Sequence, residues 1–195
     1  MKQLRKAIRI CALALAVMVL LPMGYGAYSL IRYGTRWRTS EYNTYLTSMK
    51  SGVVAGSVSD RNGGVLASSQ VHTGQDGALT TKRVYAQNAD VRRAVVHAVG
   101  DMRGTVKNAA ENFMAEYLYG VNMSFSERLT QLRTGNVLHG NNVTLTLDSG
   151  LAAYIASVFP QGKNGAVVVM NYKTGELYAL SSFPNFDPAA GGSAA

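Results

Sequence analysis

The sequence predicts an α+β fold that follows a single membrane-spanning helix. Residues 10–31 form a run of 22 residues without a charge, which is long enough to cross the hydrocarbon core of a membrane as a helix. After this run, stretches with strand-like alternation and stretches with helical periodicity both occur. The length of 195 residues leaves room for one medium domain, or for a small domain and extra segments.

The apolar run is interpreted as an uncleaved anchor over residues 10–31. Its length exceeds that of a usual signal-peptide core, although Gly24-Tyr25-Gly26 could serve as a cleavage site, which leaves a cleaved and secreted protein as an alternative. Residues 1–9 form a short basic tail that we expect to stay on the cytoplasmic side of the membrane. The bulk of the chain is then expected on the extracytoplasmic side, as a single-pass protein.

The net charge of +8 does not indicate a nucleic-acid partner. The first 38 residues hold seven Lys or Arg and no acid, whereas the rest of the chain holds twelve bases and eleven acids. The basic excess therefore flanks the apolar run, where it suits anionic lipid headgroups. Because the remainder is almost neutral, the sequence predicts a membrane partner and no nucleic acid.

Residues 32–140 are predicted to form a mixed domain outside the membrane. A short helix is expected around Tyr42–Met49, then a hairpin that turns at Asp60–Gly64, where Asn-Gly favours a tight turn. A polar loop is expected over 72–81. Three helices should follow: one capped by Asp90, one from an Asn108–Glu111 capping box to Gly120, and one from Ser126 to Gly135.

Residues 141–188 change character, and residues 189–195 are predicted to be a loose or truncated end. Val143–Leu147 alternates like a strand, and Asp148 is placed to cap a helix that ends before Pro160. Two strands are then predicted over 165–170 and 176–182. The only cysteine, Cys11, lies in the apolar run, so the external part has no disulfide.

The turn between these last strands contains Lys173-Thr174-Gly175. In one class of serine enzymes this tripeptide works together with Ser-x-x-Lys, in which the lysine activates the nucleophile, and with Ser-x-Asn. No serine here has a lysine three positions later, and no Ser-x-Asn occurs. The tripeptide is therefore interpreted as a turn between two apolar strands, with Gly175 at the flexible position.

No other residue set predicts catalysis, a metal or a cofactor. His72, His97 and His139 lack metal-like spacing, and His97 lies beside an apolar helix face that favours a structural role. Asp60 and Arg61 are interpreted as residues that stabilise the hairpin turn, with ligand binding as the less favoured alternative. The sequence thus predicts no catalytic, cofactor-binding or metal-binding residue.

The order of segments resembles the N-terminal part of class B penicillin-binding proteins, the membrane-anchored peptidoglycan transpeptidases of bacteria. The likeness rests on four stretches: the basic-flanked anchor, Gly56–Gly63 with Leu66-Ala67, Val143–Asp148, and Gly165 through Lys173-Thr-Gly-Glu to Asp187-Pro188. One departure is Ala189, where the family usually has Asn after Asp-Pro. The family then continues to Ser-x-x-Lys, Ser-x-Asn and a second Lys-Thr-Gly.

The resemblance implies a non-catalytic pedestal over 32–140 and the start of a transpeptidase domain, which is serine β-lactamase-like, over 141–188. A full-length member would cross-link peptidoglycan stem peptides through an acyl-serine and would bind penicillin. This chain is expected to be a fragment truncated before the serine motif and inactive alone. The alternative is a non-enzymatic, membrane-anchored protein that docks partners of the cell-wall synthesis machinery.

Overall fold

The computed structural model describes residues 2–38, 53–73, 79–133 and 138–190. The chain divides into two compact units, Met1–Arg38 and Thr39–Ala195. The helix predicted around Tyr42–Met49 and the last five residues of the predicted loose end lie outside the described residues.

The first unit is one continuous helix, α1, over Lys2–Arg38. It is about 55 Å long at 1.5 Å per residue, so it extends beyond a hydrocarbon core of about 30 Å. Within the described residues, one helical stretch, Gln3–Gly34, is long and apolar enough to cross a membrane. The helix thus includes the predicted anchor and continues into both basic flanks.

The second unit begins with a four-stranded sheet. Its strands are β1 (Val58–Ser59), β2 (Val65–Thr73), β3 (Leu79–Tyr85) and β4 (Val143–Thr144), in the order β3-β2-β1-β4. β2 pairs antiparallel with both of its neighbours, whereas β4 joins β1 in parallel. The second half of the unit is therefore linked through β4 to the same sheet as the first half.

The hairpin predicted at Asp60–Gly64 is present, and Gly63 adopts the positive φ of 83° that favours glycine. The loop predicted over 72–81 is wrong at both ends, because β2 reaches Thr73 and β3 starts at Leu79. The sequence LTTKRVY of β3 was not predicted as a strand, since its four central residues are polar and hide the apolar alternation.

Helix α2 covers Ala89–Val99 and buries one apolar side. Asn88 caps it, because the side-chain oxygen of Asn88 accepts hydrogen bonds from the backbone N–H groups of Asp90 and Val91, at 2.9 and 3.4 Å. The prediction of Asp90 as the cap is wrong by two residues. Asp90 instead lies in the first turn, where its charge suits the helix dipole.

The helix predicted between Asn108 and Gly120 is instead two single turns, α3 (Ala110–Phe113) and α4 (Ala115–Leu118). The predicted capping box is wrong. Ala109 is the N-cap and makes no side-chain hydrogen bond, and Glu111 is completely buried instead of turning back to the helix start. The next helix, α5, covers Phe125–Arg133, close to its predicted position.

The second half of the unit follows its predicted order. Asp148 caps helix α6 (Ser149–Val158) by accepting a hydrogen bond from the N–H of Leu151 at 2.9 Å. β5 (Gly165–Met170) and β6 (Leu177–Phe183) form an antiparallel two-stranded sheet. β4 is shorter than the predicted strand over 143–147, because only its first two residues pair with β1.

The main apolar core of the second unit joins both of its halves. Val58, Leu66, Val95 and Leu118 lie in this core, and Ala152 of α6 belongs to it as well. α2 packs directly against α6 and β6. The two halves therefore share one core, and the polar contacts at their boundary are described next.

Candidate functional site

The Lys173-Thr174-Gly175 tripeptide forms the turn that the sequence predicts. The side-chain oxygen of Asn171 accepts hydrogen bonds from the backbone N–H groups of Lys173 and Thr174, at 3.0 and 3.4 Å. Gly175 has a φ of +77° and donates its N–H to the carbonyl of Asn171 at 2.8 Å. The Lys173 ammonium lies 5.6 Å from the centre of the Tyr172 ring. These contacts assign the tripeptide to turn formation.

Asp60 and Arg61 fasten the β1–β2 turn to the second half of the unit. The Asp60 carboxylate accepts hydrogen bonds from the N–H groups of Asn62 and Gly64, at 2.9 and 2.7 Å. Its second oxygen accepts a hydrogen bond of 2.6 Å from the hydroxyl of Ser149, at the start of α6. Burial opposes ionisation, but these hydrogen bonds outweigh it and lower the pKa of Asp60.

Arg61 adds a second contact of the same kind. Its guanidinium lies 4.4 Å from the centre of the Tyr178 ring on β6, a cation–π distance. Its backbone N–H donates to the carbonyl of Leu147 at 2.9 Å. The predicted structural role of this pair is therefore confirmed, and the pair joins the turn to segments more than eighty residues away along the chain.

The second fastening point lies between α2 and the segment after β6. Arg92 makes a two-pronged ion pair with Asp187: Nε and Nη2 each lie 2.7 Å from a different carboxylate oxygen. Nη1 of Arg92 also donates to the carbonyl of Gln87 at 2.9 Å. The hydrogen bonds from Arg92 lower the pKa of Asp187, because their effect is larger than that of burial, which raises it.

Two further contacts reinforce this α2 face. The hydroxyl of Ser181, which is buried in β6, donates to the carbonyl of Ala94 in α2 at 3.0 Å. The ring of His97 meets that of Phe186 edge to face, with centroids 6.0 Å apart. Among the described residues, the buried Nδ1 of His97 has no hydrogen-bond partner, and burial lowers the pKa of His97.

A buried ion pair supports the first half from inside. Nε of Arg83 donates to Glu111 at 2.7 Å, and the two side chains are 2% and 0% exposed. Nη1 of Arg83 donates to the carbonyl of Gly56 at 2.7 Å, just before β1. The hydroxyl of Tyr119 donates to the second oxygen of Glu111 at 3.2 Å. Burial, together with the charge of Glu111, raises the pKa of Tyr119.

We call these contacts the junction: the Asp60–Arg61 turn, the α2 face with Asp187, and the Arg83–Glu111 pair that supports them. Sequence reasoning found the first but missed the other two. Nothing in the local pattern shows that Arg92 meets Asp187 or that Arg83 meets Glu111, since the partners are 95 and 28 residues apart. For Arg92, the available signal was the pair of basic residues, Arg92 and Arg93, in a largely apolar helix.

The contacts of the junction hold the elements of the second unit in position. A cavity of about 610 Å³ opens beside it, with Tyr85, Arg92, Met102 and Pro188 in its lining. Across the described residues, no group of three or more His, Cys, Asp or Glu side chains is placed to hold a metal ion. The arrangement can therefore hold one half of the unit against the other, and it offers charge–charge contacts that are sensitive to geometry.

Comparisons with known proteins found sequence similarity to a peptidoglycan transpeptidase and structural similarity to a penicillin-binding protein. The chain is 40% identical over 63 residues to the peptidoglycan D,D-transpeptidase MrdA of Acinetobacter baumannii, which covers 32% of this chain and 9% of that protein. Its fold is similar to that of penicillin-binding protein A from M. tuberculosis, solved as an imipenem acyl-enzyme, with a TM-score of 0.57 and 26% identity. That similarity covers 70% of this chain and 31% of the solved chain.

The chain spans less than a third of the length of either relative, and no protein-family model matches it. The sequence match and the shared fold nevertheless point to the same kind of protein. The chain is class B penicillin-binding-protein-like, with a mixed α+β fold and an N-terminal apolar helix that is consistent with a membrane anchor.

Proposed function

We propose that this class B penicillin-binding-protein-like chain supplies the anchored, non-catalytic pedestal of a peptidoglycan D,D-transpeptidase, together with the first elements of its catalytic domain. The pedestal would cover residues 32–140 and the catalytic elements residues 141–188. The observation that carries the proposal is the junction, above all the two-pronged Arg92–Asp187 pair at 2.7 Å. It fastens the end of the β5–β6 hairpin to a helix of the pedestal.

The proposed reaction of the whole protein is that of its relatives. A serine hydroxyl would attack the carbonyl of the penultimate D-Ala of a stem peptide, release the terminal D-Ala and form an acyl-enzyme. An amine of a neighbouring stem peptide would then take the acyl group and free the serine. A β-lactam would acylate the same serine. None of the serines in these 195 residues has a lysine three positions later, so the role of this chain is positional.

We further propose that α1 anchors the protein in the bacterial plasma membrane, with residues 1–9 inside and the second unit outside. Four basic residues precede the apolar run and three follow it, so the charge counts alone leave the orientation open. The short basic tail supports an inside position, because a long following domain is exported regardless of its charge.

Labelling with a fluorescent penicillin tests the proposed function. The purified 195-residue chain and the product of its whole reading frame are each incubated with the reagent and separated on a denaturing gel. We expect no adduct on the 195-residue chain and a stable adduct on the product of the reading frame.

A label on the 195-residue chain itself would contradict the positional role, because its acylated residue would then lie within these residues. If the product of the whole reading frame carries no label, transpeptidation is excluded. The non-enzymatic role, in which the anchored chain docks partners of cell-wall synthesis, would then be the one to test.

A further inference from the structure

The N-terminal part of α1 carries a surface groove that combines cations with apolar residues. The groove has a volume of about 320 Å³ and is lined by Lys6, Arg9, Ile10, Leu13 and Ala14. Its two cations lie at one end, and its three apolar residues lie further along the helix. A groove of this composition offers a charged end and an apolar end to the same ligand.

The helix geometry puts these groups in a line. Lys6, Arg9 and Leu13 follow one another at spacings of three and four residues, so they lie on one face of the helix. At 1.5 Å per residue, Leu13 lies about 6 Å deeper along the axis than Arg9. In a membrane-spanning helix, the cations would sit at the depth of the headgroups and Leu13 at the depth of the first acyl carbons.

The charges of the groove have no counterpart in the same unit. Residues 1–38 contain no Asp or Glu, so no carboxylate of α1 neutralises Lys6 or Arg9. Both side chains are exposed. A phosphate is the anion that membrane headgroups supply at this depth.

We propose that the groove binds one anionic glycerophospholipid, with the phosphate between Lys6 and Arg9 and an acyl chain along Ile10, Leu13 and Ala14. This inference rests on the proposed membrane anchor. A second transmembrane helix is the less suitable occupant, because it would need a carboxylate near the apolar run to match the two cations, and charged groups there are costly. A lipid brings both the anion and the apolar chain without that cost.

Native mass spectrometry of the detergent-solubilised chain, titrated with dioleoyl phosphatidylglycerol or dioleoyl phosphatidylcholine, tests the proposal. We expect one phosphatidylglycerol to be retained in preference to phosphatidylcholine. Lys6→Gln and Arg9→Gln should each weaken its retention by about fivefold or more, the effect of losing one cation beside an anionic headgroup. Leu13→Ala should weaken it as well, whereas Leu15→Ala, on another face of the helix, should not.

Arg5→Gln is the matched control, because it removes the same charge from the same helix end but does not line the groove. Equal losses in Arg5→Gln and Lys6→Gln would overturn the proposal, since they would show diffuse attraction without a site. Equal retention of both lipids would also overturn the proposal. So would displacement of the bound lipid by free glycerol phosphate. A chain that binds a second copy of itself and no lipid would overturn it as well.

Extraction of membranes with alkaline carbonate separates this inference from the anchor on which it rests. A chain that leaves the membrane in carbonate would refute the anchor. A chain that stays in the membrane but shows no preference for phosphatidylglycerol would refute only the lipid site. Penicillin labelling of the product of the whole reading frame reports on the transpeptidase role independently of both.

Discussion

The Arg83–Glu111 pair is the most deeply buried charge contact of the described residues. Each partner is almost completely removed from water, and each makes further hydrogen bonds, to Gly56 and from Tyr119. Removing one member of such a pair leaves an uncompensated charge in the interior. The pair therefore makes the position of β3 depend on that of α3.

Glu111→Gln should lower the free energy of unfolding by about 3–5 kcal/mol, because the charge of Arg83 would stay buried without a counterion. Urea denaturation of the detergent-solubilised chain, followed by circular dichroism, measures this loss. Glu116→Gln, on the neighbouring turn, is the control and should change the free energy of unfolding by less than about 0.5 kcal/mol. Equal stability of the two variants would show that the Arg83–Glu111 pair does not hold the core.

His97 should make the stability of the second unit depend on pH. Burial lowers its folded-state pKa below the ordinary value of about 6.5, so the folded protein disfavours the protonated ring. The stability that the neutral His97 ring contributes is fully present above pH 6.5, and it is lost as the pH falls below that value toward the folded-state pKa. We expect the melting temperature to fall between pH 7.5 and 5.5, and His97→Gln to reduce this fall.

His72→Gln serves as the control for the pH experiment, because His72 lies exposed on β2. Its melting temperature should fall with pH as that of the unchanged chain does. If the melting temperature of His97→Gln falls as far as that of the unchanged chain, the pH dependence arises elsewhere and the half-buried ring of His97 does not contribute.

At the scale of elements, the junction joins α2 to the end of the β5–β6 hairpin. The Arg92–Asp187 pair depends on geometry as well as charge, because two nitrogens of one planar group meet two oxygens of one carboxylate. Lysine offers a single ammonium group and cannot reproduce this arrangement. The pair therefore sets the direction in which the chain leaves β6.

Arg92→Lys should lower the melting temperature of the second unit and expose residues 184–190 to limited proteolysis, although the charge is retained. Arg93→Lys is the matched control, since Arg93 is half exposed and its Nε lies 3.8 Å from Asp187, outside hydrogen-bond range. Mass spectrometry of the proteolytic fragments measures the effect. Equal cleavage of both variants would assign no special role to the two-pronged contact.

Close contact between two backbone segments also constrains how the elements of the second unit pack. A Cβ atom at Gly140 would collide with the carbonyl of Leu118 at the end of α4, and one at Gly56 would collide with the carbonyl of Asn141. The strand-like segments around 54–57 and 138–142 can lie side by side only because these positions have no side chain.

Gly140→Ala should therefore destabilise the second unit by about 2 kcal/mol or more, because the backbone must shift to relieve the collision. Gly150→Ala, in the first turn of α6, is the control: its nearest contact would be 3.3 Å, and alanine is a better helix former there. Thermal melts of the two variants measure the difference. A Gly140→Ala chain as stable as the unchanged one would show that the loops can separate without cost.

At the scale of the whole molecule, α1 is the helix that we propose as the membrane anchor. A continuous helix over Lys2–Arg38 covers both the apolar run and the possible cleavage site at Gly24-Tyr25-Gly26. We predict that the protein extracted from membranes keeps residues 1–38. Intact mass spectrometry of the protein recovered from membranes and from the surrounding medium measures this, and a mass that lacks residues 1–26 would establish the cleaved and secreted alternative.

The sequence by itself determined the local features of this protein. The uncharged run marks α1, Asp60–Gly64 marks the hairpin, and Asp148 marks the start of α6, because each depends on residues within one or two turns of itself. The interpretation of Lys173-Thr174-Gly175 as a turn was also confirmed, because a turn depends on neighbouring residues. It needed only the residues of the turn and the absence of Ser-x-x-Lys from these 195 residues.

Only the tertiary structure decided which distant residues meet. Glu111 fitted the local pattern of a helix cap, but in the fold it is buried and forms an ion pair with Arg83. A pattern of four neighbouring residues cannot show a partner that is distant in the sequence. β3 is a strand because β2 pairs with it along its whole length, although its own polar residues favour a loop. Arg92 and Asp187 meet because α2 packs on β6, so the junction exists only in the folded chain.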